Sequence, residues 1–191
     1  MSETVRTFIA IEMAPAAREF LAQCQDRLRQ AGGDVRWVRT DIVHLTLVFL
    51  GEVAAGRLGG LEQAVRGAVA GFGPMTLQPG GAGQFPPRGR PRVVWIGIDE
   101  PSGGLVRLQK AVAEATAGFA EKVEDRPYSP HLTLGRVRGG RDLDALSDAV
   151  AAMAGQKGPA FEARDVVIFR SDLSPQGPMH SALARVPLAS K

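Results

Sequence analysis

The sequence predicts an α+β fold of two pseudo-symmetric lobes, with antiparallel sheets lining a central cleft and helices on the outside. Two observations lead to this prediction. Residues 44–47 and 131–134 are the same tetrapeptide, His-Leu-Thr-Leu. In addition, strand-like and amphipathic helical segments follow one another in the same order twice, once around each tetrapeptide. We therefore expect residues 1–191 to form a single bilobal domain of two intertwined lobes, with one copy of the motif in each.

Hydrophobic periodicity and turn residues place the individual elements. Pro15 suits the first turn of a helix, and Gly32-Gly33 is typical of a helix end. Gly51 is expected to stop the first motif strand, residues 80–83 to be irregular because of their glycines, and residues 171–178 to form a loop. The predicted strands are 5–13, 35–38, 43–50, 75–78, 92–98, 131–137, 161–169 and 183–188, and the predicted helices are 16–31, 54–70, 104–119 and 143–153.

Each tetrapeptide places a histidine and a threonine side by side. Successive side chains of a strand point to opposite faces, so His44 and Thr46 share one face, and Leu45, Leu47 and Phe49 share the other. The same alternation joins His131 and Thr133. A strand made only for packing would carry Val or Ile on both faces, because buried polar groups need hydrogen-bond partners. The alternative is two ordinary surface strands with a polar face.

The repeated motif and its surroundings resemble the 2H phosphoesterase superfamily. More narrowly, the chain resembles the bacterial and archaeal RNA 2',3'-cyclic phosphodiesterases, also called 2'-5' RNA ligases. The likeness covers almost the whole chain and implies the same bilobal fold. It rests on residues 6–11, 36–38, 44–51, 85–86, 93–97 and 130–136.

Two imidazoles can act as an acid and a base, because histidine titrates near neutrality. Hydrolysis of a phosphodiester needs both groups, on opposite sides of the phosphorus. The motif is symmetric, so the direction comes from the resemblance, which implies that His44 protonates the leaving oxygen and His131 activates water. The hydroxyls of Thr46 and Thr133 can each donate a hydrogen bond to a phosphate oxygen.

Two further residues are candidates for substrate binding. Arg136 matches a family arginine that binds phosphate, although simple alternation from His131 places it on the opposite face. A bulge or strand end at Gly135 would re-aim it; the alternative is a solvated arginine at a strand end. Phe8 is a base-stacking candidate, because aromatic rings stack on the bases of single-stranded RNA. Its alternative is a position in the core.

Other conspicuous side chains admit a simpler interpretation. Residues 86–92 form a loop with Arg88, Arg90 and Arg92, which is either a solvated hairpin tip or an RNA-backbone clamp. Trp37 and Trp95 are expected to serve packing. His180 stands where the family more often has an aromatic residue, and we treat it as a loop or strand residue.

Composition narrows the class of protein. Apolar residues make up 45% and charged residues 23% of the chain, and the net charge is +3, which is typical of a soluble globular protein. A single cysteine, Cys24, fits a reducing cytoplasm. The two motif histidines lack a third histidine or a cysteine at ligand spacing, so we expect no metal and no cofactor. No signal sequence or membrane span is expected, and we predict a cytoplasmic protein.

The predicted activity is metal-independent opening of a terminal RNA 2',3'-cyclic phosphate to a 2'-phosphomonoester, with 2'-5' ligation as its reverse. The predicted partners are RNA 3' ends or small cyclic nucleotides, with no membrane or protein partner, and a monomer is expected. Two alternatives stay open: a relative that acts on 2'-5' linkages or small cyclic nucleotides, and a module that binds RNA ends without turnover.

Overall fold

The computed structural model describes residues 3–122, 124, 126–139, 143–174 and 177–188. Each α-helix is followed along the chain by one to three strands. The strands are β1 (Thr4–Glu12), β2 (Asp34–Trp37), β3 (His44–Ala54), β4 (Met75–Phe85), β5 (Val93–Asp99), β6 (His131–Gly139), β7 (Phe161–Ala163), β8 (Asp165–Ser174) and β9 (Gly177–Pro187), and the helices are α1 (Pro15–Arg29), α2 (Leu58–Val69), α3 (Gly104–Thr116) and α4 (Leu143–Ala152).

The strands form two antiparallel sheets, which confirms the predicted fold class. One sheet has the order β3-β1-β8-β9, and the other has the order β2-β6-β5-β4-β7. The two strands that begin with the His-Leu-Thr-Leu motif, β3 and β6, therefore belong to different sheets. The sheets also exchange strands between the two halves of the chain, since β2 pairs with β6, and β8 pairs with β1.

The helices cover the sheets through the apolar stripes that the sequence predicts. Leu61, Val65 and Val69 are the buried residues of α2, and Leu105, Leu108 and Val112 are buried on α3. The spacing of three and four residues also predicts Ala115 on the apolar stripe of α3, and this prediction is wrong because Ala115 is exposed. The next residue, Thr116, is buried because its hydroxyl donates a hydrogen bond to the carbonyl of Val112.

Helix α1 carries one buried polar side chain that bonds both to the residue that follows β2 and to a residue within β6. Gln25 is 4% exposed. Its amide nitrogen donates to the carbonyl of Val38 at 2.6 Å and to the carbonyl of Leu134 at 2.9 Å. The backbone N–H of Val38 donates to the same Leu134 carbonyl at 2.8 Å. The buried amide thus satisfies the carbonyl of Val38 and adds a second hydrogen bond to the carbonyl of Leu134.

Three predicted boundaries are wrong because glycines and turn residues lie inside strands. Strand β3 passes through Gly51, whose φ of 77° is accommodated at a break in register. Strand β4 continues through residues 80–83 to Phe85, with an irregularity at Gly81. The expected loop at 171–178 is instead mostly a hairpin, because β8 extends to Ser174 and β9 begins at Gly177. Residues 175 and 176 lie outside the described residues.

Helix ends also differ by a turn from the expected bounds. Short 3₁₀ turns at Ala55–Arg57 and Ala117–Phe119 replace the predicted first turn of α2 and last turn of α3. Cys24 lies buried on α1, and burial raises the pKa of its thiol to about 11, as expected for an inert cysteine. Among the described residues, no helix has the length and apolar character that a membrane crossing needs.

Candidate active site

The two motif histidines have matching backbone anchors. His44 and His131 are the first residues of β3 and β6. The Nδ1 atom of His44 lies 2.9 Å from the carbonyl oxygen of Ile42, and Nδ1 of His131 lies 2.7 Å from that of Ser129. A carbonyl only accepts, so each ring carries its proton on Nδ1 when neutral. Nε2 of each histidine is thereby left to accept or donate a proton.

The threonines share the faces of their histidines, as alternation predicts. In the ladder with β1, His44 lies opposite Glu12 and Thr46 lies opposite Ala10. In the ladder with β5, His131 lies opposite Gly97 and Thr133 opposite Trp95. Both threonines are half-buried. Each sheet therefore presents one imidazole and one hydroxyl two residues apart.

A bulge after each threonine brings a third residue onto the same face. On β6 the register moves from Thr133 opposite Trp95 to Gly135 opposite Val94, so Leu134 is an extra residue. Leu134 and Gly135 are both buried, and Arg136 follows on the exposed face opposite Val93. The expected re-aiming of Arg136 is therefore present, with the extra residue at Leu134.

The corresponding bulge on β3 overturns the placement of Phe49. There Thr46 lies opposite Ala10 and Val48 opposite Ile9, which makes Leu47 the extra residue. Phe49, predicted to share the buried face of Leu45, is instead 49% exposed and shares the face of His44. The guanidinium of Arg6 lies 4.8 Å from the centre of its ring. Phe49 is thus the positional counterpart of Arg136.

The ring of His44 lies on an apolar floor. It stacks on Phe8 with ring centres 4.5 Å apart and planes at 27°, and it is 6.1 Å from Phe169. Phe8 and Phe169 form a small buried cluster with Ala10 and Val167. Phe8 is only 3% exposed. The geometry therefore favours the core alternative for Phe8, and its base-stacking role stays a prediction.

His180 is a site neighbour that the sequence did not identify. It lies on β9 opposite Ser171, as a strand residue. Its ring meets that of His44 edge-on at 5.3 Å and that of Phe8 at 4.9 Å. Among the described residues its Nδ1 has no hydrogen-bond partner. The one signal in the sequence was its departure from the aromatic residue that the family more often has at this place.

Burial lowers the pKa of His44 to about 4. The hydrogen bond to Ile42 opposes this effect, and the nearby charge of His180 adds to it. Burial also lowers the pKa of His180. At pH 7 the free protein therefore holds His44 as a neutral imidazole, able to accept a proton. A bound phosphate anion would favour the charged form and raise this pKa.

The surroundings of His131 are more open. Phe85 meets its ring edge-on at 5.0 Å, and Trp95 lies 6.2 Å away. Trp95 thus shares the face of His131, whereas only a packing role is predicted for it. Trp37 packs against the core as predicted, and the guanidinium of Arg29 lies 5.3 Å from the centre of its ring. Residues 86–92 form the tip of the hairpin between β4 and β5, and an RNA-clamp role of their arginines stays a prediction.

The two motif strands, β3 and β6, lie close together although they belong to different sheets. Cα atoms of β3 and β6 approach to within 8 Å. Three residues before His131, the hydroxyl of Tyr128 donates to the carbonyl of Thr46 at 3.0 Å. This bond ties the segment that delivers His131 to the strand that carries His44. In the part of the chain that the structure describes, no cluster of three or more His, Cys, Asp or Glu residues could hold a metal ion.

Two antiparallel sheets, each with a histidine and a threonine from one repeated motif, define a protein of the 2H phosphoesterase class. The profile of the 2'-5' RNA ligase superfamily matches residues 9–174. The chain therefore belongs to this superfamily, and the resemblance inferred from the sequence is confirmed.

Named relatives cover nearly the whole chain. An RNA 2',3'-cyclic phosphodiesterase of Methanothermobacter thermautotrophicus is 33% identical over 93% of this chain and 95% of its own. One of Archaeoglobus fulgidus is 34% identical over 94% and 98%. The crystal structure of apo LigT from Escherichia coli superposes with a TM-score of 0.76 at 27% identity, over 99% and 100% of the two chains. A complex of LigT with 3'-AMP gives 0.76 at 26%, over 98% and 100%.

Proposed function

We propose that this protein opens the 2',3'-cyclic phosphate at the 3' end of an RNA, leaving a 2'-phosphomonoester. The observation that supports this most is the pair of matched imidazoles, each with Nδ1 held by a backbone carbonyl and Nε2 left for proton transfer. The relatives named RNA 2',3'-cyclic phosphodiesterase and the 3'-AMP complex of LigT support the substrate class.

In the proposed reaction two imidazoles exchange protons with two oxygens. Water attacks the phosphorus while Nε2 of His131 takes its proton. The bond from phosphorus to O3' breaks, and the departing O3' takes the proton on Nε2 of His44. The products are a 2'-phosphomonoester and a free 3'-hydroxyl. Each imidazole ends in the protonation state opposite to its starting one, and a proton exchange with solvent restores both.

The side chains beside the histidines hold the phosphate. Thr46 and Thr133 donate their hydroxyl hydrogens to its non-bridging oxygens, and Arg136 adds a guanidinium from the end of the same face. These contacts carry the charge that grows on the phosphorus oxygens in the transition state, so the proposed reaction needs no metal. With the 5'-hydroxyl of a second RNA in place of water, the same attack on the cyclic phosphate breaks the bond to O3' and forms a 2'-5' bond.

The low pKa of His44 constrains its role as the acid. A free imidazole with a pKa of about 4 holds no proton at pH 7. In our proposal the substrate anion raises this pKa on binding, so that His44 is charged when the O3' bond breaks. The reverse assignment, with His44 as the base, is the second candidate, and it is favoured by the neutral state of the free protein.

The activity is tested with an RNA oligonucleotide ending in a 2',3'-cyclic phosphate. We expect purified protein to convert it to the 2'-phosphate, identified by chromatography against synthetic 2'- and 3'-phosphate standards, with no loss in a chelator. A cyclic end that binds but survives prolonged incubation would instead support a binding module. Cleavage of an internal 2'-5' linkage, with the cyclic end left intact, would support the related diesterase.

The roles of the two histidines are separated by the leaving group. The 4-nitrophenolate of a 4-nitrophenyl phosphodiester departs without a proton. On this ester, loss of the general acid should therefore lower the rate less than loss of the general base. We expect His44→Ala to recover activity on this ester relative to His131→Ala. Recovery by His131→Ala instead would reverse the assignment and leave the activity itself intact.

A further inference from the structure

Two arginines lie opposite each other at the end of the site face of β6. Arg36 of β2 is paired in register with Arg136 of β6, and both side chains are exposed. Arg136 shares the face of His131 and Thr133 because of the bulge at Leu134. Residues directly opposite in an antiparallel ladder share a face, so Arg36 lies on it as well.

This arrangement is unfavourable without an anion. Like charges directly opposite in a sheet destabilise the pair. In the part of the chain that the structure describes, neither arginine forms an ion pair with an acidic side chain, whereas Arg39, Arg126, Arg164 and Arg170 each pair with a carboxylate two residues away. Two neighbouring guanidinium groups without a carboxylate are suited to bind phosphate oxygens in pairs.

The position of Arg36 extends the site beyond one phosphate. Arg136 occupies the next position of the face after Thr133, and Arg36 lies one strand farther, about 5 Å away. Its Nη2 atom lies 3.4 Å from the point where a Cβ at Gly177 would be. Gly177 begins β9 in the other sheet, so Arg36 reaches across from one sheet to the other.

We propose that Arg36 binds the phosphate that precedes the terminal nucleotide, while Arg136 binds the reacting one. The site then takes the 3' end of a polynucleotide in preference to a mononucleotide. The inference rests on the proposed function and specifies its substrate as an RNA strand with at least one further phosphate on the 5' side.

The test compares the activities of the wild type and two variants on two substrates. The substrates are a pentanucleotide ending in a 2',3'-cyclic phosphate and a nucleoside 2',3'-cyclic monophosphate. We expect Arg36→Gln to lower the ratio of their kcat/KM values, oligonucleotide over mononucleotide, about tenfold. The slope of log kcat/KM for the oligonucleotide against log salt should become shallower by about 0.7. Arg27→Gln, which removes an exposed arginine of α1, is the matched control and should leave the ratio unchanged.

The outcomes separate this inference from the proposed function. If wild type hydrolyses the cyclic phosphates and Arg36→Gln leaves the ratio intact, the role of Arg36 is overturned and the function stands. If wild type hydrolyses neither substrate, the proposed function fails, and Arg36 is judged by fluorescence anisotropy with a labelled RNA ending in a 2'-phosphate. Equal binding by wild type and Arg36→Gln then overturns the inference, and weaker binding by the variant supports it.

Discussion

Identical tetrapeptides begin β3 and β6, yet the two histidines differ in what lies beneath them. His44 is stacked on Phe8 with His180 at its edge, and burial lowers its pKa to about 4. Among the described residues, His131 meets the edge of Phe85 and lies farther from Trp95. The repeated motif thus gives both rings the same kind of backbone anchor. The side chains of β1, β8 and β9 that surround His44 bury this ring and thereby lower its pKa.

The third residue of each face continues this contrast. After the same bulge, β3 presents Phe49 and β6 presents Arg136. On β3, the guanidinium of Arg6 lies over the ring of Phe49. On β6, the guanidinium of Arg136 has no acidic partner in the described chain. The two motif strands therefore present different side chains after the same bulge, and the candidate site is asymmetric.

Removal of either imidazole should have the largest effect. We expect His44→Ala and His131→Ala each to lower kcat/KM for a cyclic-phosphate RNA by 10²- to 10⁴-fold, the usual contribution of an acid or base. Steady-state rates measure this, and circular dichroism verifies the fold. Retention of most of the activity by either variant would mean that the two copies do not act as a pair.

The buried His44 should make stability depend on pH. Its pKa is 6.5 when unfolded and about 4 when folded. Between these values the unfolded chain binds more protons, so the free energy of unfolding is undiminished above pH 6.5 and falls as the pH drops towards 4. The full loss is at most about 3 kcal/mol. The lowered pKa of His180 acts in the same direction.

Urea unfolding at several pH values measures this slope, with His44→Gln as the control. The variant lacks the titrating ring and should lose the part of the slope that His44 contributes, while the part from His180 remains. An NMR titration gives the same information for the single ring. A His44 resonance that titrates near 6.5 in the free protein would mean that burial does not lower its pKa.

The third residues are expected to differ in activity. Arg136→Gln should lower kcat/KM about 10- to 100-fold, because a hydrogen bond to a charged group is worth about 1.5 to 3 kcal/mol. Phe49→Leu, the counterpart on β3, should change kcat/KM much less. Similar losses in the two variants would show that the two faces contribute equally to phosphate binding.

The smallest effect concerns the pair of Phe49 and Arg6. Loss of the guanidinium over the ring should lower the free energy of unfolding by about 0.5 to 1 kcal/mol. Phe49→Leu and Arg6→Gln should each show this loss, and the double variant should lose less than the sum of the two. Strict additivity would mean that the two side chains do not interact.

The faces of the motif strands followed from alternation only as far as the threonines. Counting by twos from His44 and His131 correctly joined Thr46 and Thr133 to their histidines. The same counting placed Phe49 in the interior, because an extra residue at Leu47 reverses the alternation and leaves no signal in the apolar pattern. For Arg136 the resemblance supplied the expectation, and alternation alone would have rejected it.

Glycines misled the prediction of strand β4. Turn chemistry predicts that they interrupt the strand, whereas several allow close approach within it. A Cβ at Gly83 would lie 2.2 Å from the ring of Trp95, and one at Gly80 would lie 2.9 Å from the carbonyl of Gln156. Which of the two roles a glycine has depends on its neighbours in space. The position of His180 beside His44 likewise depends on neighbours in space, because it follows from the pairing of β8 with both β1 and β9.

The amide of Gln25 has a consequence for how this protein can diverge. The carbonyl that it binds belongs to Leu134, the extra residue whose insertion turns Arg136 outward. The direction of that arginine is therefore held by a helix on the far side of the sheet, 109 positions earlier in the chain. Substitution of Gln25 is therefore expected to disturb the bulge, and with it the direction of Arg136, from a position outside the candidate site.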